Sequence, residues 1–231
     1  MYSLDTKNAK ENVAKAYAKP LSRNILESGK YNVVIDCAIW TDYSGWKGLE
    51  LHFLDENEQK ARISLTYESN EGKRFFGADQ IDAIMVCAAV RNLTAANDTY
   101  VMWSKAEQSF VEQEVKACPE LKGKSLTLLL QKELDAYNSN EGVKETEGVR
   151  IYGAYQFNTG LSASEILDRK TIAEDIVEAQ ATLEKNPLFI TKRHKTLMNG
   201  NAAKKPTQNN SYASKPASAQ PSLDEDDDLP F

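Results

Sequence analysis

The chain of 231 residues is poor in the residues that usually carry catalysis or covalent cross-links: three Cys, two His and three Trp. Cys37, Cys87 and Cys118 are odd in number and widely spaced, with no CxxC pair. They read as reduced, buried thiols, not as a disulfide frame or a zinc site. His52 and His194 are isolated, and no serine–histidine or cysteine–histidine arrangement is signalled. A phosphate loop of the GxxxxGK[ST] kind is also missing. No apolar h-region marks the first seventeen residues, and no apolar run approaches the length of a membrane span. The expectation is a soluble, cytoplasmic protein with no membrane partner, no cofactor and no enzymatic activity.

Positive charge is short as well. Lys and Arg number 28 against 34 Asp and Glu, a net charge of −6. Affinity for duplex DNA comes mostly from cations that displace counterions, so this balance argues against a general duplex coat. Residues 199–231 hold three lysines against five acids, net −2, which leaves residues 1–198 at −4. Any nucleic-acid site must be a local patch of cations and aromatic rings.

With 41% hydrophobic and 27% charged residues, the chain can bury one sizeable core. Residues 1–29 are rich in Ala, Lys and Asn and read as an N-terminal arm, and residues 30–198 read as the body. From Tyr31 the period is two: Tyr31, Val33, Ile35, Cys37 and Ile39 face one way, Asn32, Asp36 and Trp40 the other. Turns at 43–46 and 55–57 separate this strand from Leu49, Leu51 and Phe53, and those from Ile63, Leu65 and Tyr67, giving an antiparallel meander. Ile81, Ile84, Met85 and Ala88 then keep helical spacing to about Asn92. Residues 99–118 stay open: residues 99–105 read as strand, while residues 106–118 fit helix or strand. Two more strands follow, at Leu126, Leu128 and Leu130 and at Val149, Ile151, Tyr155 and Phe157, with a charged loop between them. A capping box at Ser162 and Glu165 opens one helix predicted to run to about Lys185. Three strands, a helix and two strands is the order of an oligonucleotide-binding (OB) barrel, so the fold expected is mainly β with α, an OB-type antiparallel barrel with added helices.

Residues 199–223 collapse to Asn, Ala, Lys, Pro, Ser and Gln, too little apolar surface to offset chain entropy, and read as a disordered linker. The tip that follows is Asp224, Glu225, Asp226, Asp227, Asp228, Leu229, Pro230, Phe231. A terminal Phe offers a ring and a carboxylate on one residue, Pro230 restricts the backbone, and the acids steer toward basic rims. This tip resembles the C-terminal end of bacterial single-stranded DNA-binding proteins, and the likeness, tip and linker together, covers under a sixth of the chain. Gly48-Leu49-Glu50-Leu51 with Phe53, Phe76-Gly77 and residues 81–85 look more like bacteriophage OB-type single-strand binding proteins. The resemblance implies a phage or host protein of replication, recombination or repair in a bacterial cell, binding single-stranded DNA and docking replication or recombination proteins on residues 224–231.

Single strands are held by rings that stack on bases and cations that follow phosphates. The strand periods put Trp40, Arg62, Arg150 and Tyr152 opposite the core face, and Tyr43, Trp46, Lys47, Lys73 and Arg74 at turns. These nine are the candidate DNA contacts. The plain alternatives are that Trp40 and Trp46 cap the barrel, that Phe75, Phe76 and Trp103 belong to the core, and that Arg62 pairs with Glu50. Two rival functions stay open: an adaptor whose acidic body binds protein, and a metal-dependent nuclease. The oligomeric state, a homo-oligomer included, is open too.

Overall fold

The computed structural model describes residues 24–104 and 107–202. Most of the expected arm, most of the linker and the whole 224–231 tip lie outside the described residues. The described residues form a mainly antiparallel sheet of eight strands with four helices. β1 (Gly29–Tyr43), β2 (Trp46–Asp55) and β3 (Lys60–Glu68) form the expected meander. Ser44 and Gly45, both at positive φ, make the two-residue turn that matches strand twist, and the Asp42 carboxylate accepts the Gly45 N–H at 3.0 Å.

α1 (Phe76–Cys87) follows β3 and buries Ile81, Ile84 and Cys87 among Val33, Ile35, Leu49, Leu51, Phe53, Leu126, Leu128, Leu130 and Ile151. The helix ends at Cys87, short of Asn92, and the chain turns away at Ala89, whose φ is 54°. The open segment 99–118 resolves into a hairpin, β4 (Ala96–Ser104) and β5 (Ser109–Ala117). β6 (Ser125–Ser139) and β7 (Gly142–Gln156) pair along their whole lengths. β1 is the hub. One edge runs along β2, while the other pairs with β6 over Gly29–Val34 and meets β5 at Ile39↔Ala117. β3 and β7 are not hydrogen-bonded to each other, so the sheet does not close; α1 spans the gap, with the Gln80 amide donating to the Ile151 carbonyl at 2.9 Å.

Four expectations need correction. A bulge between Ile35 and Cys37 reverses the alternation of β1, so Ala38 and Trp40 join the main core while Cys37 and Ile39 turn to the opposite face, against Ala117, Tyr100, Met102 and Val115. The expected charged loop between the last two long strands is paired hairpin, Lys132↔Val149 out to Ser139↔Gly142. The expected helix from Ser162 is two helices, α2 (Ala163–Leu167) and α3 (Asp175–Lys185). Their packing leaves Ile172 70% exposed, while Ile176 and Leu183 pack on Leu129 and Tyr155. Phe76, expected in the core, is 47% exposed.

The capping box is present: Ser162 Oγ accepts from Glu165 N at 3.2 Å and Glu165 accepts from Ser162 N at 2.8 Å. Beyond Pro187, β8 (Leu188–Ile190) pairs parallel with β6 where β1 has left that edge, and α4 (Lys192–Ala202) leans on the same strand. No helix among the described residues is long and apolar enough to cross a membrane.

Candidate nucleic-acid interface

The end of the body built by the β1–β2 turn, the β3–α1 connection and the segment after α1 gathers most of the candidate residues. Trp40, near the end of β1, meets Tyr67 of β3 edge-on, with ring centroids 5.8 Å apart at 75°. Because the bulge has turned Trp40 toward the core, its ring is half-buried and its Nε1 donates to the Thr94 carbonyl at 3.1 Å. The pair is a firm wall between two concavities. One, about 360 Å³, adds Arg74, Ile81, Met85 and Arg91; the other, about 370 Å³, adds Thr41, Asp42, Lys47 and Lys116.

The charges around this wall are partly tied. Lys47 pairs with Glu68, a hydrogen bond that raises the lysine above its ordinary value and keeps it cationic. Arg74 is held by Asp79 at 2.9 Å and Asp82 at 2.6 Å. Lys116 donates to the Asn97 amide oxygen, an uncharged partner, and Arg91 has no hydrogen-bond or ion-pair partner among the described residues. Both are exposed. Burial pushes the Tyr67 phenol up, so it stays protonated.

Trp46 stacks on Phe75 at 5.3 Å and 20°, which fastens the β1–β2 turn to the residues before α1. Tyr43, at the turn itself, is 82% exposed. Lys73 lies beside Arg74, its carbonyl and N–H bonded to the Ser69 N–H and Oγ at 2.8 and 3.1 Å. Trp40, Tyr43, Trp46, Lys47, Lys73 and Arg74 therefore share one end of the molecule.

The other three candidates lie elsewhere. Arg62, on the outer face of β3, points to Glu50 at 3.7 Å. There Glu50 is buried and also accepts from Ser64 at 3.2 Å and meets His52 Nε2 at 2.7 Å. Burial alone would raise the Glu50 carboxyl, but the His52 hydrogen bond, the Arg62 charge and Ser64 outweigh it and hold the group below the usual carboxylate range. The cleft beside this network, about 400 Å³, is also lined by Asp36, Tyr100 and Glu147, which makes it acidic as well as basic. Arg150 lays its guanidinium over the Phe189 ring at 4.0 Å, bracing β8. Tyr152 borders a separate hollow of about 200 Å³ with Phe76, Asp79 and Gln80.

Tyr67, Arg91 and Lys116 carry no sequence signal for this site. Tyr67 is in phase with Ile63 and Leu65, which points it to the core, Arg91 lies where helical spacing runs on past the end of α1, and Lys116 falls in the ambiguous segment. No group of three or more His, Cys, Asp or Glu able to hold a metal ion occurs among the described residues. No protein-family model matches the chain, and no curated protein matches it.

Proposed function

We propose that this chain binds single-stranded DNA without strong sequence preference, by stacking and phosphate contacts, and recruits replication or recombination proteins through residues 224–231. The observation that carries the reading is the Trp40–Tyr67 pair standing between two concavities, one rimmed by Lys47 and Lys116 and the other by Arg74 and Arg91. A strand crossing the wall would meet aromatic surface at the centre and cations on both sides. Stacking contributes about 1–3 kcal/mol per base, so a few rings offset a poor net charge.

An OB-type scaffold is part of the proposal. It is supported by the path β3-β2-β1-β6-β7, with α1 following the third strand as the OB order requires. The β4–β5 hairpin is an addition between that helix and β6, and the gap between β3 and β7 makes the barrel an open one. The docking role rests on the acidic, Leu-Pro-Phe sequence of the tip and its likeness to bacterial single-stranded DNA-binding proteins.

Titration of tryptophan fluorescence with single- and double-stranded oligonucleotides of equal length tests the reading. Single strands should quench and bind more tightly at matched salt. Arg91→Glu combined with Lys116→Glu, both on exposed positions, should weaken single-strand binding at least tenfold while leaving the melting temperature unchanged. Duplex binding equal to or tighter than single-strand binding, or a double variant that binds as the parent does, would sink the proposal.

A further inference from the structure

Among the described residues four long strands, β3, β7, β5 and β4, have one side without a full strand partner, β5 meeting β1 only at Ala117. Three of these edges are guarded. β5 carries Glu112, Glu114 and Lys116. β3 carries Lys60, Arg62 and Glu68 and is bridged at its ends by Asn24 and Arg74. β7 carries Lys144, Glu145, Glu147 and Arg150. β4 has nine residues, ANDTYVMWS, with no Lys, Arg or Pro, and it keeps an unbroken register against β5 from Ala96 to Ser104. Its single charge, Asp98, accepts the Thr99 N–H at 2.8 Å and faces Lys122 at 3.5 Å. An unbulged edge whose one charge is already paired presents a row of N–H and C=O groups as a template for another strand. Among the described residues no strand pairs with the outer side of β4. Val101, in the middle of the uncharged stretch, is 54% exposed, while Tyr100 and Met102 pack inward on Cys37 and Ile39.

We infer that the outer edge of β4 pairs antiparallel with β4 of a second copy of this chain, about a two-fold axis at Val101. A strand paired with itself around that position sets Val101 against Val101, Tyr100 against Met102, Thr99 against Trp103 and Asp98 against Ser104. Like charges do not meet in this register, whereas a register centred on Asp98 would oppose two carboxylates at a cost to pairing. The contact is isologous, the closed two-fold kind most common in soluble oligomers. A strand whose single charge is already paired with Lys122 offers little to a charged partner, and its exposed hydrophobic Val101 set against its own copy favours a second chain. The result is one sheet running β1-β5-β4 into β4-β5-β1 of the second copy, formed without DNA.

Sedimentation of the full chain in the absence of DNA reads the outcome directly, and twice the 25.8 kDa chain mass is expected. Val101→Lys places two ammonium groups face to face on the axis and should give the single-chain mass while far-UV circular dichroism shows the chain still folded, because Val101 is exposed within the single chain. Val101→Cys gives a second readout that adds no charge to the edge. Directly opposed Cα atoms in an antiparallel pair lie about 4.5–5.5 Å apart, within disulfide reach, so mild oxidation should join two chains. Glu178→Cys, on exposed α3, should not cross-link. A parent chain that stays single at about 100 micromolar, a Val101→Lys variant that stays double, or equal cross-linking at positions 101 and 178 would each overturn the inference.

Discussion

Gly77 has no room for a methyl group. A Cβ built there would lie 2.1 Å from the Thr66 carbonyl oxygen, a backbone atom of β3 that cannot swing aside. The first turn of α1 thus approaches the sheet as closely as a backbone can, and this contact seats the helix over the open side. Gly77→Ala should lower the urea midpoint by an amount equivalent to about 1–3 kcal/mol, the usual range for overpacking; a midpoint within error of the parent would show that α1 is not held there. Glu165 makes the complementary case for a buried charge. It is 1% exposed, and its two oxygens accept the N–H groups of Ser162, Glu174 and Asp175 at 2.8, 2.7 and 3.1 Å, tying the start of α2 to the start of α3. Burial alone would raise this carboxyl, but three backbone donors outweigh that and hold it below the ordinary 4.5. A depressed carboxylate stabilises the fold above its unfolded value, and that contribution is lost as pH falls through the folded one. Glu165→Gln leaves a donor facing donors and should cost about 2 kcal/mol at pH 7. The difference between parent and variant should shrink in urea melts between pH 4.5 and pH 3, and a gap that is the same at both ends would remove the ionised form from the account.

The hairpin β6–β7 extends well past the end of β1, and a two-stranded ribbon in water is marginal by itself. Its support comes from β8 and α4. Thr191 donates to Asp135 at 2.7 Å, Arg193 grips the same carboxylate with Nε at 3.1 Å and with a terminal nitrogen, and His194 meets Glu145 at 2.6 Å. Although burial opposes it, the Arg193 hydrogen bond keeps Asp135 ionised below its ordinary range. Asp135→Ala should speed amide exchange roughly ten- to hundredfold in residues 131–147, a local opening of about 1.4–2.8 kcal/mol, and leave the Leu49 and Leu51 amides unchanged. Uniform acceleration would mean that the hairpin is not a separable unit. This hairpin also marks where sequence reading stops working. Strands at 31–40, 49–53 and 63–67 were legible because one face is buried and the other wet. Apart from buried Ala136, residues 132–148 are wet or half-buried on both faces, so their alternation carries no signal although their backbone pairs fully. The bulge at Asp36 was invisible for a different reason: one extra residue changes which face Trp40 joins without changing the composition of the strand. For the same reason the candidate interface was half legible. The turn residues Tyr43, Trp46, Lys47, Lys73 and Arg74 were placed together by the meander, whereas Tyr67, Arg91 and Lys116 reach the site only through packing, and Arg62, Arg150 and Tyr152 were drawn in by strand phase alone.

At the scale of the whole molecule the chain sets a negative total against a local patch of cations. Residues 224–228 supply five carboxylates, nearly the entire net charge of −6. Exposed charges act over a Debye length of about 10 Å at 0.1 M salt and about 30 Å at 0.01 M, so any share of the time that these acids spend near Lys116 and Arg91 competes with phosphates at low salt and hardly at all at high salt. Replacing the five by Asn and Gln, with Leu229, Pro230 and Phe231 kept, should therefore tighten single-strand binding at low salt and converge with the parent as salt rises. The salt dependence of the variant should also be steeper, because log affinity falls with log salt by about 0.7 for each phosphate neutralised on a single strand, and cations released from the acids become free to neutralise phosphates. Removal of Phe231 alone changes no side-chain charge and should leave DNA affinity within about twofold, yet it should abolish capture of replication or recombination proteins. These two variants separate long-range charge from a ring that acts only inside a pocket. An uncharged 224–228 variant that binds DNA no better than the parent at any salt would show that the acids do not compete for the patch, and full partner capture without Phe231 would take the docking role away from the tip.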